Sequence, residues 1–302
     1  MSIAFRTIAV IGRNGQLARE LADLTWPGDI RARFLGRGEI NLFDPDAITA
    51  RLTALQPVAI INTAAHTAVD LAETEPVLAM QLNAEVPATL AATARRIDVP
   101  LLHVSTDYVF SGRHNMPYRE DDVTAPLSVY GQSKRAGEIA ALAAGARVTI
   151  LRSGGLFGRH GSNFLKTMLA KATAGSGDPV RVVADQISTP TPTAALAATL
   201  QQMALDMSAG RVLPTLLHDA GTKPVSWFDF TDAIFAALAD VGFGKLPPLV
   251  PVGVADYPRP APRPLYSALD SSLTHSLGYP LLDWQAALPS LVAHLTKERI
   301  AA

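Results

Sequence analysis

Thr7-Ile-Ala-Val-Ile-Gly-Arg-Asn-Gly-Gln-Leu-Ala18 decides the fold of this chain. Its first five residues form a continuous apolar run, the pattern of a parallel strand buried on both faces. Gly12 and Gly15 then punctuate a turn, and Leu17, Leu21 and Leu24 recur with helical spacing from Gln16 onward. Strand, glycine turn and helix in that order gather unpaired N–H groups and the positive end of a helix dipole at one point, where a pyrophosphate can sit. Ala18 stands where a third glycine is usual, and it still allows helix to pack closely on strand. Tight βα turns also occur without any ligand. This one gains weight from its place at the head of an alternating chain.

The alternation continues for half the sequence. Arg31–Leu35, Val58–Ile61, Leu101–Val104 and Val148–Leu151 read as four further strands. Asp44-Pro45 opens a helix with an acidic cap and a proline at the first position, and helical stretches follow at Glu75–Arg96 and Tyr130–Ala144. This pattern predicts an α/β fold, a doubly wound, Rossmann-like parallel sheet with right-handed crossovers. Residues 1–152 are expected to form a dinucleotide-binding domain, and 153–302 mainly a smaller C-terminal α/β substrate-binding lobe. Helices are expected near 163–174, 193–207 and 226–240, with loops at Gly154-Gly155, Gly175-Ser-Gly177 and the proline-rich 247–264 run. Within 180–220, Val180–Val183 and Leu216–His218 are candidates to rejoin the main sheet.

Composition narrows the function. A net charge of −1 over 302 residues lacks the basic excess of a nucleic-acid binder. The absence of cysteine excludes disulfides, thiolate zinc sites and cysteine nucleophiles. No apolar stretch approaches the roughly 18 residues of a membrane span, and Met1–Gly12 reads as a strand rather than a cleavable leader. A cytoplasmic protein without membrane partners is expected.

The chemistry lies in Tyr130-Gly-Gln-Ser-Lys134 and in Ser105-Thr-Asp107 before it. Tyr130 and Lys134 are four apart and share a helix face. A phenol is a reluctant acid–base group near neutrality, and a neighbouring ammonium is expected to bring its pKa down. A hydroxyl at the end of the fourth strand, Thr106 or Ser105, would hydrogen-bond a carbonyl oxygen as charge develops on it. Together these groups suit hydride transfer between a nicotinamide and a carbonyl. Tyr108 stands where a sugar-nucleotide dehydratase would want a second acid, so reduction is favoured over elimination. After the second strand, Gly36-Arg37-Gly38 offers a guanidinium to a 2′-phosphate. That favours NADPH, with NADH left open by Glu39 nearby. Asn41 and Leu42 are candidates for the adenine. His103 and His218 read as core residues, His160 and His275 as solvated, Trp227 and Trp284 as lobe packing, and Glu120-Asp121-Asp122 as a solvated loop.

At these residues the chain resembles the extended short-chain dehydrogenase/reductases, and within them the dTDP-4-dehydrorhamnose reductase family. The likeness extends to Asn62–Glu73, Ser105–Phe110, Pro126–Lys134 with Gly137-Glu138, Asn163-Phe164, Asp185-Gln186 with Pro190-Thr191, Ser226-Trp227, and Arg263-Pro264 with Ser267, Leu269 and Asp270. The resemblance implies a catalytic trio of Thr106, Tyr130 and Lys134. It implies a cofactor lining of Gly12, Asn14, Gly15, Gln16, Leu17, Ala64, Ala65 and Ser105, with Tyr130 and Lys134. The substrate would be a nucleoside-diphosphate 4-keto-6-deoxyhexose reduced at C4. Asp107, Tyr108 and Asn163 would touch sugar or phosphate, and Arg263 the pyrophosphate. Gly155 replaces an aromatic usual in the family and is expected to remove one wall of the sugar pocket. His66 replaces a tyrosine, and Ser188 a glycine. Some family members share magnesium at a dimer contact. Glu20 matches one of its acids, but Pro192-Thr-Ala-Ala195 offers no second acid, so no metal is expected and a homodimer stays open. A 4-epimerase, another sugar-nucleotide ketoreductase and a non-catalytic nucleotide-binding subunit are the rival readings.

Overall fold

The computed structural model describes residues 5–175 and 177–301, with side chains through Lys297. Met1–Ala4 of the expected opening strand and Ser176 of the expected glycine loop lie outside the described residues. Strands β1 (Arg6–Ile11), β2 (Ile30–Leu35), β3 (Ala59–Asn62), β4 (Leu101–Thr106) and β5 (Val148–Ser153) alternate with helices α1 (Gln16–Asp23), α2 (Pro45–Leu55), α3 (Val69–Ala72), α4 (Pro76–Met80), α5 (Val86–Arg96) and α6 (Val129–Ala143).

Helix starts follow their caps. The Asp44 carboxylate accepts from the N–H groups of Asp46 and Ala47 at the head of α2, and Ser128 Oγ accepts from Gly131 N at the head of α6. The expected single helix over 75–96 is instead α4, a π-helical turn at Gln81–Glu85, and α5. Pro87 has no N–H to continue the ladder, and the widened turn aims Asn83 inward, where it bonds His66 and Ser133.

The second half adds β6 (Leu156–Phe157), α7 (Phe164–Ala172), β7 (Val180–Val183), β8 (Ile187–Ser188), β9 (Thr191–Pro192), α8 (Thr193–Ser208), β10 (Leu216–His218), β11 (Val225–Ser226), α9 (Trp227–Asp240), β12 (Leu249–Val252), α10 (Ser272–Ser276) and α11 (Trp284–Ala301). The main sheet has six parallel strands in the order β10-β5-β4-β3-β1-β2. Alternate residues of each strand face opposite layers. Ile8, Val10, Ile61 and Leu102 pack under α1 and α8. Ala9, Ile11, Ile60 and Ile150 pack under α2, α5 and α6. Of the two later runs expected near this sheet, β10 joins it, whereas β7 pairs with β12 in a separate two-stranded sheet. The layer built on the main sheet therefore draws α8 and β10 from beyond residue 152. The smaller lobe closes on its own core of Phe157, Leu165, Phe230, Trp284 and Val292, where Trp227 and Trp284 pack as expected.

Two polar readings change. Glu120 is no solvated loop residue, because its carboxylate accepts from His218 N at 3.0 Å and is half-buried. His160 is also not free in solvent, since its ring meets the Asp23 carboxylate. Just after β10, Asp219 is 1% exposed, and among the described residues its Oδ2 has no hydrogen-bond partner. Burial pushes its pKa up to about 7. A folded-state pKa above the unfolded one means that this group's stabilisation is present at low pH and lost as pH rises toward about 7. Asp219→Asn should therefore stabilise the fold by about 1–2 kcal/mol at mildly alkaline pH and little near the unfolded carboxyl's own range. Thermal unfolding at the two pH values checks this.

Candidate active site

The carboxyl ends of the parallel strands gather the site, as they do in open α/β sheets generally. At the end of β1, Gly12 has φ 108° and passes so close to β3 that an added Cβ would lie 2.7 Å from Thr63 Oγ1. Only glycine fits there without strain. Gly15 precedes α1 with no side-chain cap, which leaves first-turn N–H groups for an anion. Asn14 and Gly15 are exposed and Gln16 half-buried, while the Leu17 side chain turns into the core. Ala64 and Ala65 are half-buried after β3, and Ala64 N donates to Asn62 Oδ1.

After β2 the charge arrangement is more crowded than the sequence implied. Arg37 is exposed in the turn after β2. Glu39 closes that turn by accepting from Gly36 N at 3.0 Å, and its other oxygen pairs with Arg13. Beside them a cavity of about 480 Å³ is lined by Arg13, Arg19, Arg33 and Arg51 with Glu39. Arg13 is thus a second candidate for a phosphate on this side. Asn41 Oδ1 accepts from Phe43 N, so its oxygen serves its own turn, and Leu42 packs against the core under α2.

The chemical centre lies between β4 and α6. Thr106 ends β4, and its Oγ1 accepts from Tyr108 N at 3.2 Å. Ser105 faces the other way and donates to Glu138 Oε1 at 2.6 Å. Of the two hydroxyls, Thr106 is therefore the candidate to meet a carbonyl, and the Ser105 hydroxyl is engaged by Glu138. Tyr130 is 9% exposed, on the helix that follows Thr106. Lys134 Nζ donates to Val104 O at 2.7 Å. The expectation that Lys134 lowers the phenol's pKa fails here: burial pushes Tyr130 up to about 12 and Lys134 down to about 8. Desolvation disfavours the charged form of both groups. Tyr130 consequently keeps its proton at neutral pH.

Buried polar contacts hold this centre in place. Glu138, one turn after Lys134, is bidentate with the fully buried Arg152 of β5 at 2.8 Å for both contacts. Asp107 is 2% exposed and accepts from Ser267 Oγ at 2.6 Å, with Ser188 Oγ at 3.5 Å. The Tyr108 ring meets Tyr130 edge-on with centroids 5.9 Å apart. Burial raises the Tyr108 pKa.

Three expectations change in the structure. The Asn163 side chain caps α7 through Lys166 N, and its amide donates to Gly158 O and Gln16 Oε1, so it braces the cofactor turn. Arg263 grips both oxygens of Asp70 at 2.9 and 2.8 Å, which spends its fork on a carboxylate. Gly155 has φ 60°, and a Cβ there would lie 2.8 Å from Thr189 O, so this backbone has no room for a pocket-walling side chain. Near α1, Glu20, Asp23 and His160 lie within mutual reach of one ion. Arg159 pairs with both carboxylates, and the Glu20 carboxylate also accepts from Thr193 Oγ1 at 3.0 Å, so a fixed cation already faces these acids.

The chain is similar to known proteins over nearly its whole length. The family described as RmlD substrate binding domain matches residues 6–297. A dTDP-4-dehydrorhamnose reductase from Sinorhizobium fredii is 36% identical over 294 residues, covering 96% of this chain and 98% of the relative. A Streptomyces antibioticus protein named probable dTDP-4,6-dihydroxy-2-methyloxan-3-one 4-ketoreductase is 38% identical over 281 residues, covering 92% of each. The crystal structure of dTDP-4-dehydrorhamnose reductase from Bacillus anthracis in complex with NADP superimposes with a TM-score of 0.86 at 28% identity, covering 95% of this chain and 98% of that one.

Proposed function

Because this chain belongs to the RmlD substrate binding domain family, we propose that it is a dTDP-4-dehydrorhamnose reductase, reducing the C4 keto group of dTDP-4-dehydro-L-rhamnose to dTDP-L-rhamnose with NADPH. The observation that carries the reading is the Thr106–Tyr130–Lys134 constellation at the strand ends, with an uncapped helix N-terminus beside it.

The glycine turn fits the cofactor, since Gly12 leaves no Cβ between β1 and Thr63 and α1 presents free N–H groups. Gly12, Asn14, Gly15 and Gln16 hold the pyrophosphate, and Arg13 and Arg37 the 2′-phosphate. NADPH supplies the hydride. Thr106 Oγ and the Tyr130 phenol both bond the substrate carbonyl oxygen, and Tyr130 gives that oxygen its proton as charge develops. Lys134, anchored on Val104 O, orients the nicotinamide ribose and stabilises the resulting phenolate. Tyr108 lines the sugar side. A reaction that draws on NADPH and a nucleotide sugar belongs in the cytoplasm, and no described helix is long and apolar enough to cross a membrane.

Loss of NADPH absorbance with enzymatically generated dTDP-4-dehydro-L-rhamnose tests the reading. Steady oxidation that depends on the sugar supports it. Bound NAD with no net consumption of reductant would favour the epimerase. For cofactor choice, Arg13→Ala or Arg37→Ala should raise the KM for NADPH about ten-fold, the loss of a charge-assisted contact, and leave that for NADH nearly unchanged. Equal effects on both cofactors would remove these arginines from the 2′-phosphate.

A further inference from the structure

Thr106 has a single hydrogen and more than one claimant for it. A hydroxyl donates once and accepts twice. Tyr108 N–H already occupies one lone pair at 3.2 Å. Asp107 Oδ1 lies 3.0 Å from the same oxygen. If Asp107 is ionised, its carboxylate can only accept, and it takes the Thr106 hydrogen. Thr106 then presents a lone pair to an incoming carbonyl oxygen and repels it.

We propose that Asp107 works as a neutral carboxylic acid whose O–H donates to Thr106 Oγ1, so that the Thr106 hydrogen points at the substrate carbonyl. The proposal rests on the ketoreductase reading and makes Asp107 a positioning residue for Thr106. The surroundings suit a neutral acid. Ser267 and Ser188 bring hydroxyls to Oδ2, which leaves Oδ1 to carry the proton toward Thr106. Gly154, on the neighbouring strand end, lies against the carboxyl with no charge to offer. Among the described residues no cation pairs with Asp107. The titratable groups facing it are the phenols of Tyr108, on its own turn, and of Tyr130, on α6. Burial pushes its pKa up to about 6, so the protonated form is within reach of working conditions.

Reduction needs the protonated form, so turnover should be high at acidic pH. Above an apparent pKa of about 6 it should fall roughly ten-fold per pH unit. In Asp107→Asn the amide NH₂ donates to Thr106 at every pH while its oxygen still accepts from Ser267. That variant should keep turnover within about ten-fold of the wild-type maximum and hold it flat across this range. An unchanged pH profile in Asp107→Asn, or its inactivity at all pH values, would overturn the proposal.

A second readout needs no substrate. In protein carrying ¹³C-labelled aspartate carboxyls, the resonance missing from Asp107→Asn should titrate near pH 6 in the wild type. A midpoint at an ordinary carboxyl value, about 4, would sink the proposal. A wild-type protein that titrates as expected yet never oxidises NADPH would instead fault the ketoreductase reading.

Discussion

Tyr130→Phe is expected to lower turnover by about a hundred- to ten-thousand-fold, the range for removing a positioned general acid. The phenol is the group placed to give up a proton at the carbonyl, and its burial holds that proton on it at neutral pH. Phenylalanine keeps the ring against Tyr108, so packing and the α6 fold should survive. The variant should bind NADPH with nearly wild-type affinity and unfold at a similar temperature. Retained turnover would remove Tyr130 as the proton donor. A large fall in stability would make the loss of activity uninformative, and Tyr130→Phe is chosen over alanine for that reason.

Glu138→Ala carries the largest expected effect on stability. Glu138 is 0% exposed, and its two oxygens satisfy Arg152, Ser105 and Arg135. Removing one partner of a buried pair leaves an uncompensated charge and costs about 3–5 kcal/mol. For a domain of this size that corresponds to a fall in Tm of roughly 10 °C. Glu138→Leu combined with Arg152→Met should recover much of the loss, because an apolar pair of similar volume replaces a buried ion pair with little penalty. A Tm for Glu138→Ala within a degree or two of wild type would show that the pair does not hold β4, β5 and α6 together. Lys134 should also lose the neighbour that counters its desolvation, moving its pKa below about 8.

The strands were legible because a parallel sheet covered on both faces needs unbroken apolar runs, as at Thr7–Ile11 and Val148–Leu151. The placing of Tyr130 and Lys134 on one helix was legible because one helical turn separates them. What escaped the reading was long-range. Ser267 reaches Asp107 across 160 positions, and Arg263 meets Asp70 across 193. No periodicity encodes such partners. Ser105 and Thr106 are equivalent on paper, and only the pleat of β4 sends one to Glu138 and the other into the cleft. The phenol's pKa was misjudged for a related reason. Lysine's proximity is visible in the sequence, but the burial that outweighs it is set by the packed structure. Asn163 was expected to touch the ligand from the family resemblance alone, and its position just before a helix suits the cap it provides.

The most direct test of the central claim follows the hydride itself. NADPH carrying deuterium at the transferred position of the nicotinamide is incubated with dTDP-4-dehydro-L-rhamnose and the enzyme, and the sugar product is examined by proton NMR. One deuterium at C4 of the product, matched by one equivalent of NADP⁺, is the predicted result. A product with hydrogen at C4, or a sugar inverted at C4 with no cofactor consumed, would contradict it.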